Sequence, residues 1–436
     1  MVSLVGLQRI ENFLNKSLMT SRIRALVTTI EPIDGGVPSM TRWICSLLEE
    51  LDIVPVLAWY APWSKYPDLS VPLYRILLDR PKTIRLTALS KYEAYGVGAW
   101  FPELEFTHYL PSKNWKSLIR GCQLHVVVSG NPLPASAFAL MDLPFLAWVA
   151  TPWEADRKDR IKGFSKLRRA LDTFINKPIL RQLEKVVLRA PKGRILTLSR
   201  YTSREFEEIG GRSNKPVMLM PVNTELFKRR PEKTICWRIG FSGRYSDPRK
   251  NIGLLLNATS ILVAWGFPVE VILVGDRNND NVQTRVAELM LNQHVKCYGH
   301  KQPEQLSDLL QSFDLFVIPS HQEGLCISAL EAMACGVPVV STRCGGPEDF
   351  VIDEQTGQLI TWSPSDLAST IREICLQRDK RERLSQGAER WVLENASDTS
   401  SKEKFLAQIE GLKRDSLAEK QMPRDKLSSM RLNTTK

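Results

Sequence analysis

The sequence has little of what a secreted or membrane-spanning protein needs. No apolar run reaches roughly 18 residues, the length that a bilayer-spanning helix requires. The opening stretch MVSLVGLQRIENFLNKSLMTSR lacks the continuous apolar segment and small-residue cleavage site of a signal peptide. Eight cysteines occur without a C-x-x-C pair, so the pattern indicates neither a zinc site nor a disulfide framework. We therefore predict a cytoplasmic protein with reduced thiols.

The positive charge of the chain is concentrated in one stretch. The whole sequence carries a formal net charge of +11 at pH 7. Residues 157–194 contain thirteen Lys and Arg against three acidic residues, which favours an anionic partner such as the cytoplasmic face of a membrane. A solvated helical face explains the same pattern equally well. Because no nucleic-acid-binding motif accompanies the charge, nucleic acid is not predicted as a partner.

The chain of 436 residues is too long for one ordinary domain. Short apolar runs rich in β-branched residues alternate with amphipathic segments of helical length, which is typical of parallel sheets covered by helices on both faces. The predicted strands are 23–30, 52–59, 124–130, 144–151 and 194–199 in the first half, and 237–243, 269–275, 295–299, 315–320 and 338–342 in the second.

A gap rich in Gly, Pro, Ser and Asn at about 210–222 separates the two halves. We predict an α/β protein of two doubly wound Rossmann-like domains, residues 1–215 and 216–400. Residues 401–436 would form a C-terminal helix and a flexible basic tail. Because ligands of such sheets bind at the carboxyl ends of the strands, we expect a ligand in the cleft between the domains.

One run in the second half predicts a strand, a turn and a helix. LFVIPS is the strand, HQEG the turn, and LCISALEAMAC (325–335) a helix that a following Gly and Pro end. The N-terminus of this helix offers free N–H groups and the positive end of its dipole, which favour a phosphate. Glu331 lies seven residues after Gly324, so we expect its carboxylate to lean back toward that phosphate.

Two carboxylates beside a phosphate indicate a ligand that also carries hydroxyl groups. Glu323 in the turn and Glu331 in the helix accept hydrogen bonds only, which suits vicinal diols. A nucleotide-sugar, with a diphosphate flanked by two sugars, satisfies all three features. Cations for the diphosphate are near, since Arg244 follows a strand ending in Gly243 and Lys250 precedes a helix.

With these motifs the chain resembles the retaining glycosyltransferases of family four, the group-one glycosyltransferases with the GT-B fold. The resemblance covers nearly the whole second half and is looser in the first. The matching runs are PVNTELF (221–227), FSGRYSDPRKNIGLLLNA (241–258), VILVGD (271–276) and residues 298–351.

The resemblance implies a role for each matching residue. Arg244, Lys250 and Glu323 would be catalytic: the two cations would hold the diphosphate and Glu323 would bind hydroxyls of the transferred sugar. Glu331 would bind the nucleotide ribose. Further donor contacts would come from Gly243, Gly324, Leu325 and Cys326, from the base-contacting loop at Gly299 and His300, and from the first-domain loop at Gly35 and Gly36.

The resemblance also implies the reaction. A hexose would pass from a nucleotide-sugar to a glycan or lipid-linked acceptor with retention, in cell-envelope or polysaccharide biosynthesis. The donor phosphate would take the acceptor proton, so no protein nucleophile is assigned. The sequence has no D-x-D motif, in keeping with metal independence, and we predict no cofactor besides the nucleotide-sugar as co-substrate.

The first half departs from the family pattern. Segments 129–133 and 150–156 hold no histidine, where relatives often carry one near the reacting centre. Asn131 and Trp153 are candidate substitutes on the acceptor side. We interpret His125, inside a strand pattern, as a core histidine. Cys326 also departs, because the family usually has a glycine there.

Tryptophan is abundant in the first half, with seven of the eleven before residue 160. Aromatic faces on loops suit sugar rings, whereas most aromatic residues simply fill a core. We place Trp43 and Trp148 in the core and keep Trp59, Trp63 and Trp100 as candidates for contact with an acceptor.

Two other functions compete with the glycosyltransferase hypothesis. A nucleotide-sugar epimerase or hydrolase of the same fold would not need the aromatic first domain or Lys250. A non-catalytic scaffold or binding subunit fits the missing histidines. Such a subunit has little need for Arg244, Lys250, Glu323 and Glu331 together.

Overall fold

Each half of the chain is built around one sheet. The computed structural model describes residues 22–31, 36–86, 91–157, 165–213, 215–229, 237–276 and 280–421. The first unit comprises the described residues within Met1–Thr197, Ser203–Pro216 and Lys402–Lys436, and the second comprises Leu198–Thr202 and the described residues of Val217–Ser401. The C-terminal segment therefore belongs to the first unit, although its helix begins in the second.

The first unit contains a seven-stranded sheet. Its order is β3-β4-β2-β1-β5-β6-β7, with β3 antiparallel to its neighbour and every other pair parallel. The strands are β1 (Arg24–Thr28), β2 (Val54–Tyr60), β3 (Thr83–Arg85), β4 (Glu93–Val97), β5 (Leu124–Ser129), β6 (Phe145–Val149) and β7 (Gly193–Thr197).

Helices connect these strands. They are α1 (Gly36–Glu50), α2 (Lys113–Arg120), α3 (Ser136–Leu140), α4 (Trp153–Arg157), α5 (Lys166–Leu171), α6 (Lys177–Arg189) and α7 (Arg200–Glu208), with a π-helical segment at Asp172–Asn176 between α5 and α6. Short 3₁₀ turns at Leu73–Arg75, Glu105–Tyr109 and Leu133–Ala135 complete the connections.

The second unit contains a six-stranded sheet in which every pair is parallel. Its order is β10-β9-β8-β11-β12-β13. The strands are β8 (Trp237–Gly243), β9 (Val269–Gly275), β10 (Val295–Gly299), β11 (Leu315–Ile318), β12 (Val339–Thr342) and β13 (Gly357–Ile360).

The helices of the second unit lie between and after these strands. They are α8 (Ile252–Ala264), α9 (Asp280–Glu288), α10 (Pro303–Gln311), α11 (Ile327–Ala334), α12 (Pro364–Leu376) and α13 (Arg378–Asn395). The last helix, α14 (Asp398–Gln421), begins in the second unit and continues in the first. Helix α14 covers the start of the tail that the sequence predicts to be flexible, and residues 422–436 lie outside the described part of the chain. Among the described residues no helix combines the length and apolarity needed to cross a membrane.

All ten predicted strands are confirmed. Most are buried, as continuous apolar runs predict, whereas Lys296 and Cys297 of β10 are exposed. Three strands were missed. Strand β3 is exposed along its whole length, β4 carries a Glu and a Gly, and β13 has only four residues. His125 is a core histidine as interpreted: it is buried, one ring nitrogen lies 3.0 Å from the Pro144 carbonyl, and burial lowers its pKa.

Much of the positive charge at 157–194 is engaged within the first unit. Arg157 is buried and contacts Glu105 at 3.0 Å and also Asp172. Lys177 and Arg181 both pair with Glu154. Residues 158–164 lie outside the described part of the chain. The basic surface predicted from the sequence is therefore partly neutralised by ion pairs within the first unit.

Two glycines allow the carboxyl ends of β8 and β9 to lie close together. Gly243 and Gly275 are partners in the strand register and both have positive φ, +154° and +147°. A Cβ on Gly275 would lie 2.0 Å from the Gly243 carbonyl oxygen. The close approach of these two strand ends therefore requires glycine.

This approach predicts opposite effects for two Gly→Ala substitutions in the second unit. Gly275→Ala should lower the free energy of unfolding by about 3 kcal/mol, because the backbone is strained and the new methyl overlaps Gly243. Gly253→Ala, in α8 with nothing within 4 Å of the new Cβ, should raise it by about 0.5–1 kcal/mol. Urea denaturation measures both. Equal effects would mean that the close strand ends are not a constraint.

Candidate active site

The candidate site lies where the second sheet reverses its strand order. Strand β8 comes first in sequence, β9 and β10 add on one side of it, and β11 adds on the other. Helices therefore leave the carboxyl ends of β8 and β11 in opposite directions, which opens a crevice between those ends. The segments after β8 and β11 hold all three residues predicted to be catalytic.

The turn that carries Glu323 is fixed by the loop after β12. The Glu323 N–H donates to the Cys344 carbonyl at 2.8 Å, and the Gly346 N–H donates to the Glu323 carbonyl at 2.9 Å. A Cβ on Gly346 would lie 2.1 Å from the Gly324 carbonyl oxygen, so the two loops touch backbone to backbone. Glu323 is therefore held on a rigid turn.

Lys250 and Glu323 form the central contact of the site. The Lys250 Nζ lies 2.6 Å from Glu323 Oε1, with the two side chains only 17% and 9% exposed. Burial acts to lower the pKa of Lys250, but the charge of Glu323 and its hydrogen bond outweigh burial, so this pKa lies above its ordinary value. The His321 N–H donates to the Arg249 carbonyl at 2.8 Å, which joins the two backbones as well.

Arg244 is the accessible cation of the site. It directly follows β8, its side chain is 74% exposed, and its nearest carboxylate, that of Asp247, lies 3.9 Å away. Asp247 caps the short turn that leads to Lys250, because its Oδ1 accepts the Arg249 N–H at 3.0 Å. Arg244 is thus accessible from solvent at the carboxyl end of β8.

Helix α11 begins two residues later than the sequence predicts. Cys326 has φ +70° and ψ +74°, a left-handed conformation that cannot continue a helix, so the helix starts at Ile327. This conformation favours glycine, which agrees with the glycine that the family pattern has at this position. The N–H groups of Gly324, Leu325 and Cys326 have no acceptor among the described residues.

Glu331 is a carboxylate without a partner. It lies about one turn into α11, it is half-buried, and none of the described residues donates a hydrogen bond to it or pairs with it. Burial raises its pKa to about 7. A half-buried carboxylate without donors loses part of its hydration in the free chain, which is the property expected of a group that binds a ligand.

The remaining predicted donor contacts of the second unit lie along the same edge of the sheet. Gly243 ends β8, and its ideal Cβ position is 3.9 Å from the Lys250 side chain. Gly299 ends β10, opposite Gly275 of β9, and the exposed His300 follows it. No contact joins Gly299 or His300 to Glu323 or Lys250, so their role stays a prediction.

Three residues that sequence reasoning missed support the site. The Ser320 hydroxyl donates to Glu323 Oε1 at 2.6 Å, and the half-exposed Trp362 donates its ring N–H to the Ser320 carbonyl at 3.3 Å. The Ser328 hydroxyl donates to the Ser242 carbonyl at 2.8 Å, which ties the start of α11 to β8. Ser320 lies in the motif itself, but no local pattern points to Trp362, 42 residues away.

The predicted acceptor-side residues of the first unit are engaged in its fold. Trp153 is buried: its backbone N–H donates to Glu184 at 2.8 Å and its ring N–H to Glu105 at 3.4 Å. The ring of Trp153 is buried, and its predicted role as a substitute on the acceptor side stays a prediction. Asn131 is also buried and its Oδ1 accepts the Leu133 N–H at 3.1 Å, which makes it a turn residue.

The other first-unit candidates differ in accessibility. Trp59 is fully buried, so it joins Trp148 in the core, whereas Trp63 and Trp100 are partly exposed. Gly36 begins α1 and is exposed. Gly35 lies outside the described residues. The predicted contact of the Gly35–Gly36 loop with the donor stays a prediction.

The sequence of the second unit matches a known family. Residues 223–391 match the model described as glycosyl transferases group 1, which confirms the predicted resemblance over that region. Assignment to family four stays a prediction.

Curated relatives match over part of their length. The chain is 30% identical to the D-inositol 3-phosphate glycosyltransferase of Segniliparus rotundus over 142 residues, which is 31% of either protein. It is 27% identical to the lipopolysaccharide 1,2-N-acetylglucosaminetransferase of Salmonella typhimurium over 205 residues, or 42% of this chain and 53% of that protein. The matches thus span about a third to a half of the length of these relatives.

A solved structure extends the likeness to most of the chain. The Anabaena protein HepE in complex with UDP aligns with a TM-score of 0.64 over 89% of this chain and 100% of that one. The sequence identity is 16%, so this likeness shows the fold alone. The predicted GT-B fold is confirmed.

The Lys250–Glu323 contact predicts a strong energetic coupling in the free protein. Lys250→Met should lower the free energy of unfolding by about 2–3 kcal/mol, because it leaves a buried carboxylate without its cation. Lys250→Met combined with Glu323→Gln should recover most of that loss. A double-mutant cycle in urea measures the coupling.

An exposed ion pair of the same unit provides the matched control. Arg285 and Glu288 lie 2.9 Å apart, with side chains 45% and 55% exposed. Their cycle should give a coupling of about 0.5 kcal/mol or less. If the Lys250–Glu323 coupling is as small as that of the control, the two residues are not a pair in solution.

Proposed function

We propose that this chain, whose residues 223–391 belong to the group 1 glycosyltransferases, transfers a hexose from a nucleotide-sugar to a glycan or lipid-linked acceptor with retention. The observation that carries the proposal is the carboxylate of Glu331 on α11, which has no partner among the described residues. The N–H groups of the residues just before this helix have no acceptor there either. In a helix with only a structural role, such polar groups would have hydrogen-bond partners or would not be present. A ligand that brings both phosphate oxygens and hydroxyl donors satisfies them together.

The site is suited to the departure of a nucleoside diphosphate. Glycosyl transfer breaks the bond between the anomeric carbon and a phosphate oxygen, while a bond forms from the acceptor oxygen to that carbon. Negative charge therefore grows on the diphosphate and positive charge on the sugar ring. Arg244 and Lys250 stabilise the negative charge on the diphosphate. Stabilisation that is stronger in the transition state than in the ground state raises the rate.

Glu323 has a different part in this scheme. Its carboxylate accepts hydrogen bonds from hydroxyl groups of the transferred sugar, and its pairing with Lys250 holds it in place before the donor arrives. The proton of the acceptor hydroxyl passes to the departing phosphate oxygen, so no side chain serves as nucleophile. We propose that the reaction needs no metal ion.

The acceptor is assigned to the first unit, as the resemblance implies. The Salmonella relative is named for a lipopolysaccharide substrate, which supports an acceptor of the cell envelope and an enzyme that works at a membrane surface. UDP is bound to the HepE structure and is therefore the first donor base to test.

A thermal-shift panel tests the donor site. UDP, GDP, ADP and TDP are added separately to the wild-type chain, to Glu331→Ala and to Glu394→Ala. At ~100 times its dissociation constant the correct nucleotide should stabilise the fold by about 2.7 kcal/mol. Glu331→Ala should lose this gain, because the ribose hydroxyls lose their acceptor.

Glu394 provides the matched carboxylate, since it is exposed on α13 of the same unit. Glu394→Ala should keep the whole nucleotide effect. If no nucleotide stabilises the wild-type chain, the donor site is not functional and the scaffold alternative gains support. If Glu331→Ala binds as well as the wild type, the assigned role of Glu331 is wrong.

A further inference from the structure

A short segment of the first unit presents its apolar side chains to solvent. Between β2 and β3, residues 73–78 (LYRILL, here the leucine loop) form a 3₁₀ turn and the turn after it. Leu77 is 94% and Leu78 82% exposed. Leu73, Tyr74 and Ile76 are exposed as well. Single exposed leucines are common, but five exposed apolar residues within six positions form a patch.

The base of the leucine loop is anchored on both sides. Val71 before it forms a bridge to Trp100, and the Lys82 N–H after it donates to the Leu69 carbonyl at 2.8 Å. A Cβ on Gly98 would lie 1.8 Å from the same Leu69 carbonyl oxygen, so the base is closely packed. The loop thus projects from a fixed support.

Unpaired cations follow the leucine loop directly. Arg80, Lys82 and Arg85 are exposed, and none of them forms an ion pair with a described residue. The charge of Arg75 within the loop is already paired with Asp79. The surface therefore combines an apolar tip with positive charge beside it.

Four cations of the basic stretch at 157–194 already have carboxylate partners. There Arg157 is buried, Lys177 and Arg181 share Glu154, and Lys192 pairs with Asp142 at 2.9 Å. Cations that already have carboxylate partners attract an anionic surface weakly. Phe174 is exposed in that stretch and serves below as the rival anchor.

We propose that the leucine loop inserts into the interface of an anionic lipid bilayer, with Leu73, Leu77 and Leu78 among the acyl chains. Arg80, Lys82 and Arg85 then lie at the headgroups, where each cation strengthens binding. A bilayer accepts fully projecting leucines without a complementary pocket, and its negative charge complements the three free cations. The inference extends the proposed lipid-linked acceptor, because it gives the enzyme a way to reach one, but it does not depend on catalysis.

Vesicle flotation of the full chain tests this surface. The probes are vesicles of phosphatidylcholine alone and vesicles that also contain phosphatidylglycerol. Wild-type protein should float with the anionic vesicles and much less with the neutral ones. Leu77→Ser with Leu78→Ser should weaken binding at least tenfold, and Arg80→Gln with Lys82→Gln by roughly twenty-fivefold, or about fivefold for each cation.

Two controls separate the leucine loop from other exposed side chains. Phe174→Ser removes the exposed aromatic of the basic stretch, and Met290→Ser removes a residue of the second unit that is similarly exposed. Both should leave flotation unchanged. Loss of binding in Phe174→Ser with retention in the leucine variant would overturn the proposal in favour of the basic stretch. Equal flotation of wild type and leucine variant would also overturn it, as would a wild type that binds neither vesicle.

The remaining rival is self-association through the same loop. Light scattering without vesicles distinguishes it: a wild-type dimer that the leucine variant turns into a monomer, with no vesicle binding, would overturn the proposal. Unfolding of the variant is excluded by an unchanged thermal midpoint and an unchanged nucleotide effect. Flotation without any nucleotide effect would contradict the proposed donor site alone and leave the membrane surface standing.

Discussion

The candidate site depends on the adjacency of β8 and β11 at the centre of the second sheet. These strands are separated by about seventy residues of sequence, yet their carboxyl ends place Lys250 and Glu323 in direct contact. The loop after β12 fixes the turn that carries Glu323, because the backbones of Gly346 and Gly324 touch. The ion pair fixes Lys250 and Glu323 before a donor binds. In the proposed reaction this lowers the entropic cost of reaching the reactive geometry.

Sequence reasoning succeeded where apolar pattern and motif spacing carry the information. The ten strands followed from continuous apolar runs, and the strand–turn–helix unit that carries Glu323 and Glu331 was predicted in the observed order. The roles of the two glutamates stay predictions. It failed where a backbone conformation or a distant partner decides the result. The left-handed Cys326 shortens α11, and Trp362 reaches Ser320 only because β13 joins the sheet beside β12.

Side-chain partners explain the other errors. Trp153 has an aromatic ring of the kind that can stack on a sugar, but its two N–H groups donate to Glu184 and Glu105 in the interior. Burial raises the pKa of Glu184 to about 7. The basic stretch at 157–194 is predicted to be a charged surface, because the sequence does not show which carboxylates pair with its cations. The leucine loop gives the converse case, since the apolar run LYRILL lies on the outside.

The central claim is that Glu331 is a carboxylate kept unpartnered for a nucleotide-sugar. The most direct measurement is an NMR titration of ¹³C-labelled glutamate carboxyls, with the signal assigned by its loss in Glu331→Gln. The pKa of Glu331 should lie near 7 in the free chain. It should fall when a nucleotide-sugar binds, because hydroxyl donors favour the ionised form. A pKa at the ordinary glutamate value in the free chain, or one that no nucleotide-sugar changes, would contradict the claim.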